Sequence, residues 1–455
     1  MIEMASKYKN VLCIYPHAKG KPEKKYCPPI GLEYIATAIE DLVDQVTIID
    51  MRFDKDLTKH MTDEVDLVCL SANWDYQWDP TIEIVASLPE KVDVIVGGRH
   101  ATICVEEFFK AAPKIDYIVR GDGEETIRAL IQDEKLESID GLSYRKDNGY
   151  EHNKSREIKS LDQTKYPNRK LRKVDYQFLY KGVDLGMGID FVSTSRGCPF
   201  RCKFCTFTNN PLGQKRPWTS RSARSVVDEL KEIESRFVFV VDDNFAVDVK
   251  RVEEICDLII AEGIDKIFAV ALRLDICRHP KTLQKMYDAG FRILSIGIES
   301  AQDKTLKSMQ KGFDTAKAEK AFAEIGKFNF YLHGYFIVGC LGEDEKEMMD
   351  IAPFAKRLGL DTINLSLLRT EKYSPLNDLI ADNDQYHVDE NQLIYSDDLS
   401  VDDLRKIRHR IRKEYYSFGK VSQIAWKIIS AGILRVGYLM RLSWILFSRG
   451  LILRK

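Results

Sequence analysis

A chain of 455 residues that is 44% hydrophobic and 30% charged has material for two or three domains and a sizeable core, and its net charge of −2 gives no general affinity for nucleic acid. Its ten cysteines fall at irregular spacing, with no even-numbered disulfide framework and no N-terminal signal peptide. That pattern excludes a small secreted scaffold and points to a reducing cytoplasm.

Residues 1–135 alternate short apolar runs with amphipathic stretches. "NVLCIYP", "QVTIID", "VDLVCLSA", "VDVIVGG" and "IDYIVRG" read as strands of a parallel, Rossmann-like sheet. The runs are apolar on both faces, as expected when helices cover both sides, and the ligand crevice then lies beyond their carboxyl ends. "RGDGEET" is a glycine-rich turn into a helix, read either as an anion site or as a plain cap. Residues 136–185 are polar with little periodicity and read as a linker containing a hairpin.

From residue 186 to about 375 the strand and helix rhythm resumes. Strands are expected at "DFVST", "RFVFVVDD", "KIFAVAL", "RILSIGI", "FYLHGYFIVG" and "DTINLSL", with helical patterns such as "SARSVVDELKEIES" between them. Six steps fit a partial (β/α)6 barrel of TIM type, open rather than closed with eight. On the loop leaving the first of these strands, "TSRGCPFRCKFCTFT" places Cys198, Cys202 and Cys205 at spacings of four and three, with Gly197 and Pro199 making the turn. A structural zinc site closes with four ligands, usually as two close pairs. Here the next cysteine is Cys256 and the nearest histidines are His152 and His279, none at a paired spacing. Three soft thiolates therefore suggest an iron-sulfur cubane with one iron left open.

Residues 376–455 read as a helical region ending in a basic amphipathic tail. From residue 415 onward there are seven Lys or Arg and no acid. On a helix Lys420, Lys427, Arg435, Arg441 and Arg449 fall within an arc of roughly 120°, with Trp426 and Trp444 elsewhere. A spanning helix needs about 20 uncharged apolar residues. The pattern instead fits a helix lying in the plane of an anionic membrane, or one packed on the barrel or in a dimer.

The triplet with its aromatic, Cys198, Cys202, Phe204 and Cys205, resembles the C-x-x-x-C-x-aromatic-C signature of radical S-adenosylmethionine (SAM) enzymes. Further stretches over residues 186–375 are similar to that family in the same order. "VVDDNF" resembles its acidic strand end, which implies that Asp242, Asp243 and Asn244 lie near the SAM amino group or the substrate. "LRLD" implies Arg273 as a partner of the SAM carboxylate, and "SIGIES" implies Glu299 and Ser300 near the ribose hydroxyls. "GYFIVGCLGED" resembles a family run reading G-x-P-G-E, with Leu341 where the proline would be.

The N-terminal domain resembles the cobalamin-binding domain of the branch that includes anaerobic magnesium-protoporphyrin ester cyclase and hopanoid- and lipid-modifying enzymes. Gly97 and Gly98 are then the residues expected to let the corrin or its nucleotide tail approach the backbone. The fingerprint D-x-H-x-x-G of a cobalt-ligating histidine reads "YPHAKG" here, with His17 and Gly20 present and Tyr15 in place of the Asp.

The resemblance implies a [4Fe-4S] cluster, SAM and cobalamin as cofactors, and an external electron donor such as flavodoxin or ferredoxin. It implies hydrogen abstraction from an unactivated carbon of a small-molecule or lipid-like substrate, leading to methylation, cyclisation or rearrangement. No catalytic side chain can be named from sequence. Two alternatives stay open at this level, a non-catalytic iron-sulfur or cobalamin sensor or scaffold and an RNA-modifying radical enzyme. The latter ordinarily carries a second cysteine cluster or a basic RNA-binding domain, and Cys13, Cys27, Cys69 and Cys104 are scattered.

Overall fold

The computed structural model describes residues 6–17, 27–147, 149–157, 160–180, 183–205, 212 and 216–434. The chain divides into two compact units, residues 1–182 with 210–214, and residues 183–209 with 215–455.

The first unit is built on seven strands: β1 (Asn10–Tyr15), β2 (Gln45–Asp50), β3 (Leu67–Ser71), β4 (Asp93–Gly97), β5 (Tyr117–Val119), β6 (Leu142–Lys146) and β7 (Gly149–His152). Their order is β2-β1-β3-β4-β5-β6-β7. The first five are parallel, and β6 and β7 extend the sheet antiparallel. The run 136–185 thus supplies the expected hairpin as added strands. A short strand, β8 (Gln177–Tyr180), ends the unit.

Because alternate side chains leave opposite faces of a strand, the apolar runs split between two cores. Val11 and Cys13 of β1, with Leu67 and Cys69 of β3, enter one cluster. Leu12 and Ile14, with Val68 and Leu70, enter the other. Both faces are covered, and the strand order reverses between β1 and β3, where an open parallel sheet forms its ligand crevice.

In the second unit β9 (Val183–Val192) is followed by two short pairing segments, β10 (Ser195–Arg196) and β11 (Thr219–Ser220), and then by β12 (Phe237–Val240), β13 (Ile267–Leu272), β14 (Phe291–Glu299), β15 (Tyr331–Val338) and β16 (Thr362–Leu367). The six long strands pair side by side, all parallel and in chain order. β9 and β16 are not paired with each other, so the sheet stays open, as the partial barrel expected from sequence requires. Connecting helices such as Ala223–Glu232, Val249–Ala261 and Thr315–Ile325 start on side-chain caps from Ser222, Asp248 and Asp314. They pack into a single core with only one face of the sheet, through Val238, Val270, Leu294, Ile296, Leu332 and Leu365. One covered face is the packing of a barrel wall, in contrast to the two-sided first unit.

Beyond β16 come a hairpin of β17 (Tyr386–Val388) and β18 (Ile394–Ser396) and the helices Val401–Tyr415 and Phe418–Ser430. The first helix docks through Leu404, Ile407, Ile411 and Tyr415. The second leaves Phe418 90% and Trp426 70% exposed. Lys420 does not join a solvent-facing cationic arc, because its ammonium donates to the Leu360 carbonyl. Arg435, Arg441, Trp444 and Arg449 lie outside the described residues. Among the described residues no helix is long and apolar enough to cross a membrane.

Gly98 gives a direct test of the first unit's loop packing. Its φ is +105°, and a Cβ there would stand 2.7 Å from the Ala72 carbonyl oxygen, whereas a Cβ at Gly121 (φ +75°) would meet nothing within 4 Å. Gly98→Ala is expected to destabilise by about 2–3 kcal/mol and Gly121→Ala by only about 1 kcal/mol, read from urea denaturation.

Candidate cofactor sites

The loop leaving β9 is held by two adjacent carboxylates at the end of β12. Asp242, 3% exposed, accepts hydrogen bonds from the Thr194 N–H at 2.6 Å, the Thr194 hydroxyl at 2.5 Å and the Ser195 hydroxyl at 2.6 Å. Burial pushes its carboxyl up, and those donors pull it back down. Asp243 accepts from the Gly197 N–H at 2.9 Å. Gly197 has φ +82°, and a Cβ there would strike the Pro217 carbonyl, so this turn requires glycine. From outside, the Arg251 guanidinium donates to the carbonyls of Arg221 at 2.6 Å and Thr194 at 2.8 Å. Arg221 is itself fully buried in an ion pair with Glu229.

Held this way, the loop presents Cys198, Cys202 and Cys205, all free thiols, with Cys202 buried and the other two half-buried. The Cys205 N–H closes a turn on the Cys202 carbonyl at 3.0 Å, and the Lys203 N–H reaches the Met309 carbonyl at 3.1 Å. Arg273, just past β13, donates from Nη1 to the Cys202 Sγ at 3.2 Å and from Nη2 to the Lys311 carbonyl at 2.6 Å. Its Nε meets Asp275 at 3.1 Å, and its plane lies 3.8 Å over the Phe200 ring. Burial pushes the Cys198 thiol up while the Arg273 cation pulls it down. Among the described residues no three His, Cys, Asp or Glu side chains converge as around a single metal ion. An iron-sulfur cubane does not require that convergence, since each thiolate binds a separate iron.

The remaining strand ends add a second buried group. Glu299 ends β14 with φ +75°, after a shift in register that carries its carboxylate back over Gly297. It pairs with Lys311 Nζ at 3.1 Å, with side-chain exposures of 10% and 4%. The same ammonium lies 5.4 Å from the centroid of the Phe204 ring. Ser300 donates to Glu343, whose carboxyl is pushed up by burial and pulled down by the Ser300 and Thr305 hydroxyls. Asn244 is buried, and its Oδ1 has no partner among the described residues. The structure thus brings Phe204, Arg273 and Glu299 to Lys311 and Cys202 to Arg273, while Asp242 and Asp243 are committed to the loop backbone.

In the first unit the crevice between β1 and β3 is lined by the loops that follow them. Gln77, fully buried, donates to the Pro16 carbonyl at 3.3 Å and accepts from the Asn73 N–H at 2.8 Å, tying the two loops together. Gly98 packs directly on Ala72 and Asn73, and a Cβ at Gly97 would find only Val119, at 3.7 Å. Tyr15, standing where the fingerprint has Asp, lies under the Arg52 guanidinium at 4.5 Å, and Arg52 pairs with the buried Asp50. The position that would orient His17 is therefore an aromatic ring engaged elsewhere. His17 itself is half-buried.

Residues 192–355 match the radical SAM superfamily and residues 23–131 match the B12 binding domain. The chain is a radical SAM enzyme with a B12-binding domain. It is 29% identical over 423 residues to an uncharacterized methyltransferase of Pyrococcus horikoshii, covering 86% of this chain and 87% of that one. To the anaerobic magnesium-protoporphyrin IX monomethyl ester cyclase of Cereibacter sphaeroides it is 23% identical over 402 residues, 80% of this chain but 63% of the cyclase. Among solved structures its fold is similar to the radical SAM methyltransferase TsrM from Kitasatospora setae (TM-score 0.68, 18% identity, 82% of this chain and 78% of that one). It is likewise similar to the cobalamin-dependent SAM radical enzyme OxsB (TM-score 0.70, 17% identity, 97% and 76%).

The enzyme's cofactors are a [4Fe-4S] cluster, SAM and cobalamin. The residues fit them. Three free thiols on one loop, one of them hydrogen-bonded to a guanidinium, are a donor set for a cluster with an open iron. The β1/β3 crevice offers backbone at Gly97 and Gly98, and the fingerprint position of the Asp carries Tyr15.

Lys311 was not singled out in the sequence, where "MQKGFD" carries no distinguishing pattern. Removing it leaves Glu299 buried without its partner. Lys311→Met is therefore expected to lose about 3–5 kcal/mol of stability, and the double variant with Glu299→Gln to recover most of it, measured by denaturant unfolding of both proteins.

Proposed function

We propose that this enzyme methylates an unactivated carbon of a hydrophobic small molecule. The observation that carries the reading is the Cys198–Cys202–Cys205 loop, braced at the carboxyl ends of the parallel strands with Arg273 on Cys202 Sγ. When bound, the reduced cluster and SAM supply hydrogen abstraction at carbon, and cobalamin supplies a transferable methyl group.

The chain's own residues do the rest. Cys198, Cys202 and Cys205 hold iron, and the Arg273 N–H lowers the electron density on the Cys202 sulfur. Asn244, Glu299, Ser300 and Glu343 supply buried polar atoms toward SAM. The Asn244 carbonyl, without a partner among the described residues, is an acceptor suited to ammonium or hydroxyl groups. In the first unit Gly97 and Gly98 allow close approach of a corrin to backbone. Support for methylation over cyclisation comes from the relatives, among them the methyltransferase of Pyrococcus horikoshii and the hopanoid C-3 methylase of Methylococcus capsulatus.

Anaerobic reconstitution tests this. The wild-type protein should hold about four iron, about four sulfide and about one corrinoid, and release 5′-deoxyadenosine with dithionite and SAM, while Cys202→Ala should lose at least about 90% of both iron and release. A cluster with no SAM cleavage would favour the sensor, and cleavage without corrinoid would remove methyl transfer through cobalamin.

The reading also includes peripheral contact with an anionic membrane. Phe418, Val421 and Trp426 on the Phe418–Ser430 helix are exposed, and the sequence after residue 434 carries Arg435, Arg441, Arg449, Arg454 and Lys455. The full chain is expected to sediment with phosphatidylglycerol vesicles, and a chain ending at Tyr416 to stay in the supernatant. Equal sedimentation of the two excludes this tail as the contact.

A further inference from the structure

The helices cover one face of the second sheet, and the pairing register shows what lies on the other. Phe191, Phe239, Ala269, Ile293 and Tyr331 align across β9 and β12–β15. One step toward the carboxyl ends, Ala271, Ser295, His333 and Thr362 align across β13–β16. Tyr335 follows, paired with Asn364. Their neighbours in sequence, such as Val238, Val270, Leu294 and Leu332, belong to the helix-side core, so these rows face away from it.

This open face is unequal along its width. On one side stand Phe191 and Phe239, with ring centroids 5.5 Å apart. On the other stand His333 and Tyr335, edge to face at 4.9 Å. Between these walls β13 and β14 contribute the buried Ala269 and the half-buried Ile293 in the first row and, nearer the carboxyl ends, only the half-buried small residues Ala271, Ser295 and Gly297. The end nearest the cluster loop is closed by the Glu299–Lys311 pair over Gly297. Tyr335 stays 38% exposed although its strand has a paired neighbour on both sides, as expected of a face that a ligand covers.

The polarity is one-sided as well. The phenylalanine wall carries no hydrogen-bonding group. The opposite wall carries His333, whose Nδ1 meets Thr362 Oγ1 at 2.7 Å and whose Nε2 has no partner among the described residues, together with Asn364, Ser366 and the Tyr335 hydroxyl, which bonds Ser295 beside it.

We infer that this face seats the substrate, and that the substrate is a flat, fused-ring molecule with an apolar body and a hydrogen-bonding group on one edge. A small-residue floor between aromatic walls accepts a rigid plane about one ring thick, whereas a flexible acyl chain gains nothing from flatness. The apolar body lies against Phe191 and Phe239, and the polar edge meets His333 and Tyr335. Burial keeps the His333 ring toward its neutral form, able to donate or accept at Nε2. The inference rests on the radical SAM reading, which places the chemistry at the adjoining strand ends.

The test uses the reconstituted full-length enzyme and two probes sharing a carboxylate: pyrenebutyrate, a fused-ring plane, and oleate, a chain. Pyrenebutyrate fluorescence should report saturable binding that Ala271→Phe weakens about tenfold or more by filling the floor, and that Phe239→Leu and His333→Ala each weaken several-fold. Oleate should displace it poorly. Iron content confirms that each variant is assembled, and Phe239→Leu serves should Ala271→Phe fail to fold. Unchanged affinity in Ala271→Phe and Phe239→Leu, or displacement by oleate at equal or lower concentration, overturns the inference. Wild-type 5′-deoxyadenosine release is read separately: release that persists while the variants bind normally sinks the seat alone, and absent release sinks the underlying reading.

Discussion

Everything at the candidate active end depends on one buried carboxylate. An Asp carboxylate out of water is costly, by several kcal/mol unless it is hydrogen-bonded. Asp242 meets that cost by accepting from the backbone and hydroxyl of Thr194 and from Ser195, so the strand β9 cannot leave the sheet in any other direction. Asp243 then fixes the next turn at Gly197, and Arg251 clamps the same segment from the helix side. The result is a loop whose course is held at Thr194, Ser195 and Gly197 by bonds that do not involve the cysteines. A cluster site built on preorganised backbone needs no further ordering when the thiolates bind, which favours a defined open iron over a mixture of ligations.

The two sheets show how coverage decides architecture. Both are runs of parallel strands joined by helices, yet the first divides its side chains between two large cores and the second packs its connecting helices on one face. Two-sided coverage makes a doubly wound layer with a crevice at the strand-order reversal between β1 and β3. One-sided helix packing leaves the second sheet a face of mixed aromatic and polar residues, half-buried toward the carboxyl ends at Ala271, Ser295 and His333. The proposed cofactor sites thus fall at strand ends in both units, and the proposed substrate seat on the sheet face of the second.

Much of this was legible in the sequence. The six barrel strands stand out as apolar runs at regular spacing, and the cysteine triplet with Phe204 names its own chemistry. The difference between the sheets was also present, though unused: "NVLCIY" and "LVCLS" are apolar throughout, whereas "ILSIGIE" and "TINLSL" alternate with small or polar residues, as a half-covered strand must. What the sequence did not show were partnerships across strands. Arg273 could be placed at a strand end but not on the Cys202 sulfur. Asp242 could be read as an acidic strand end but not as an anchor for the Thr194 backbone. Lys311 sits in an ordinary polar turn, and only the fold brings it to Glu299. Tyr15 was visible as a departure from the histidine fingerprint, but that its ring is occupied by Arg52 depends on β2 lying beside β1.

The central claim is that three cysteines hold a cluster with one iron open to SAM. Electron paramagnetic resonance of the dithionite-reduced, reconstituted wild-type protein, recorded with and without SAM, tests it most directly. The account predicts a reduced-cluster signal whose g values shift when SAM is added, because SAM binds the iron that lacks a cysteine. A spectrum identical in the two samples, from a protein with full iron and sulfide content, would contradict it by showing that no iron is open to SAM.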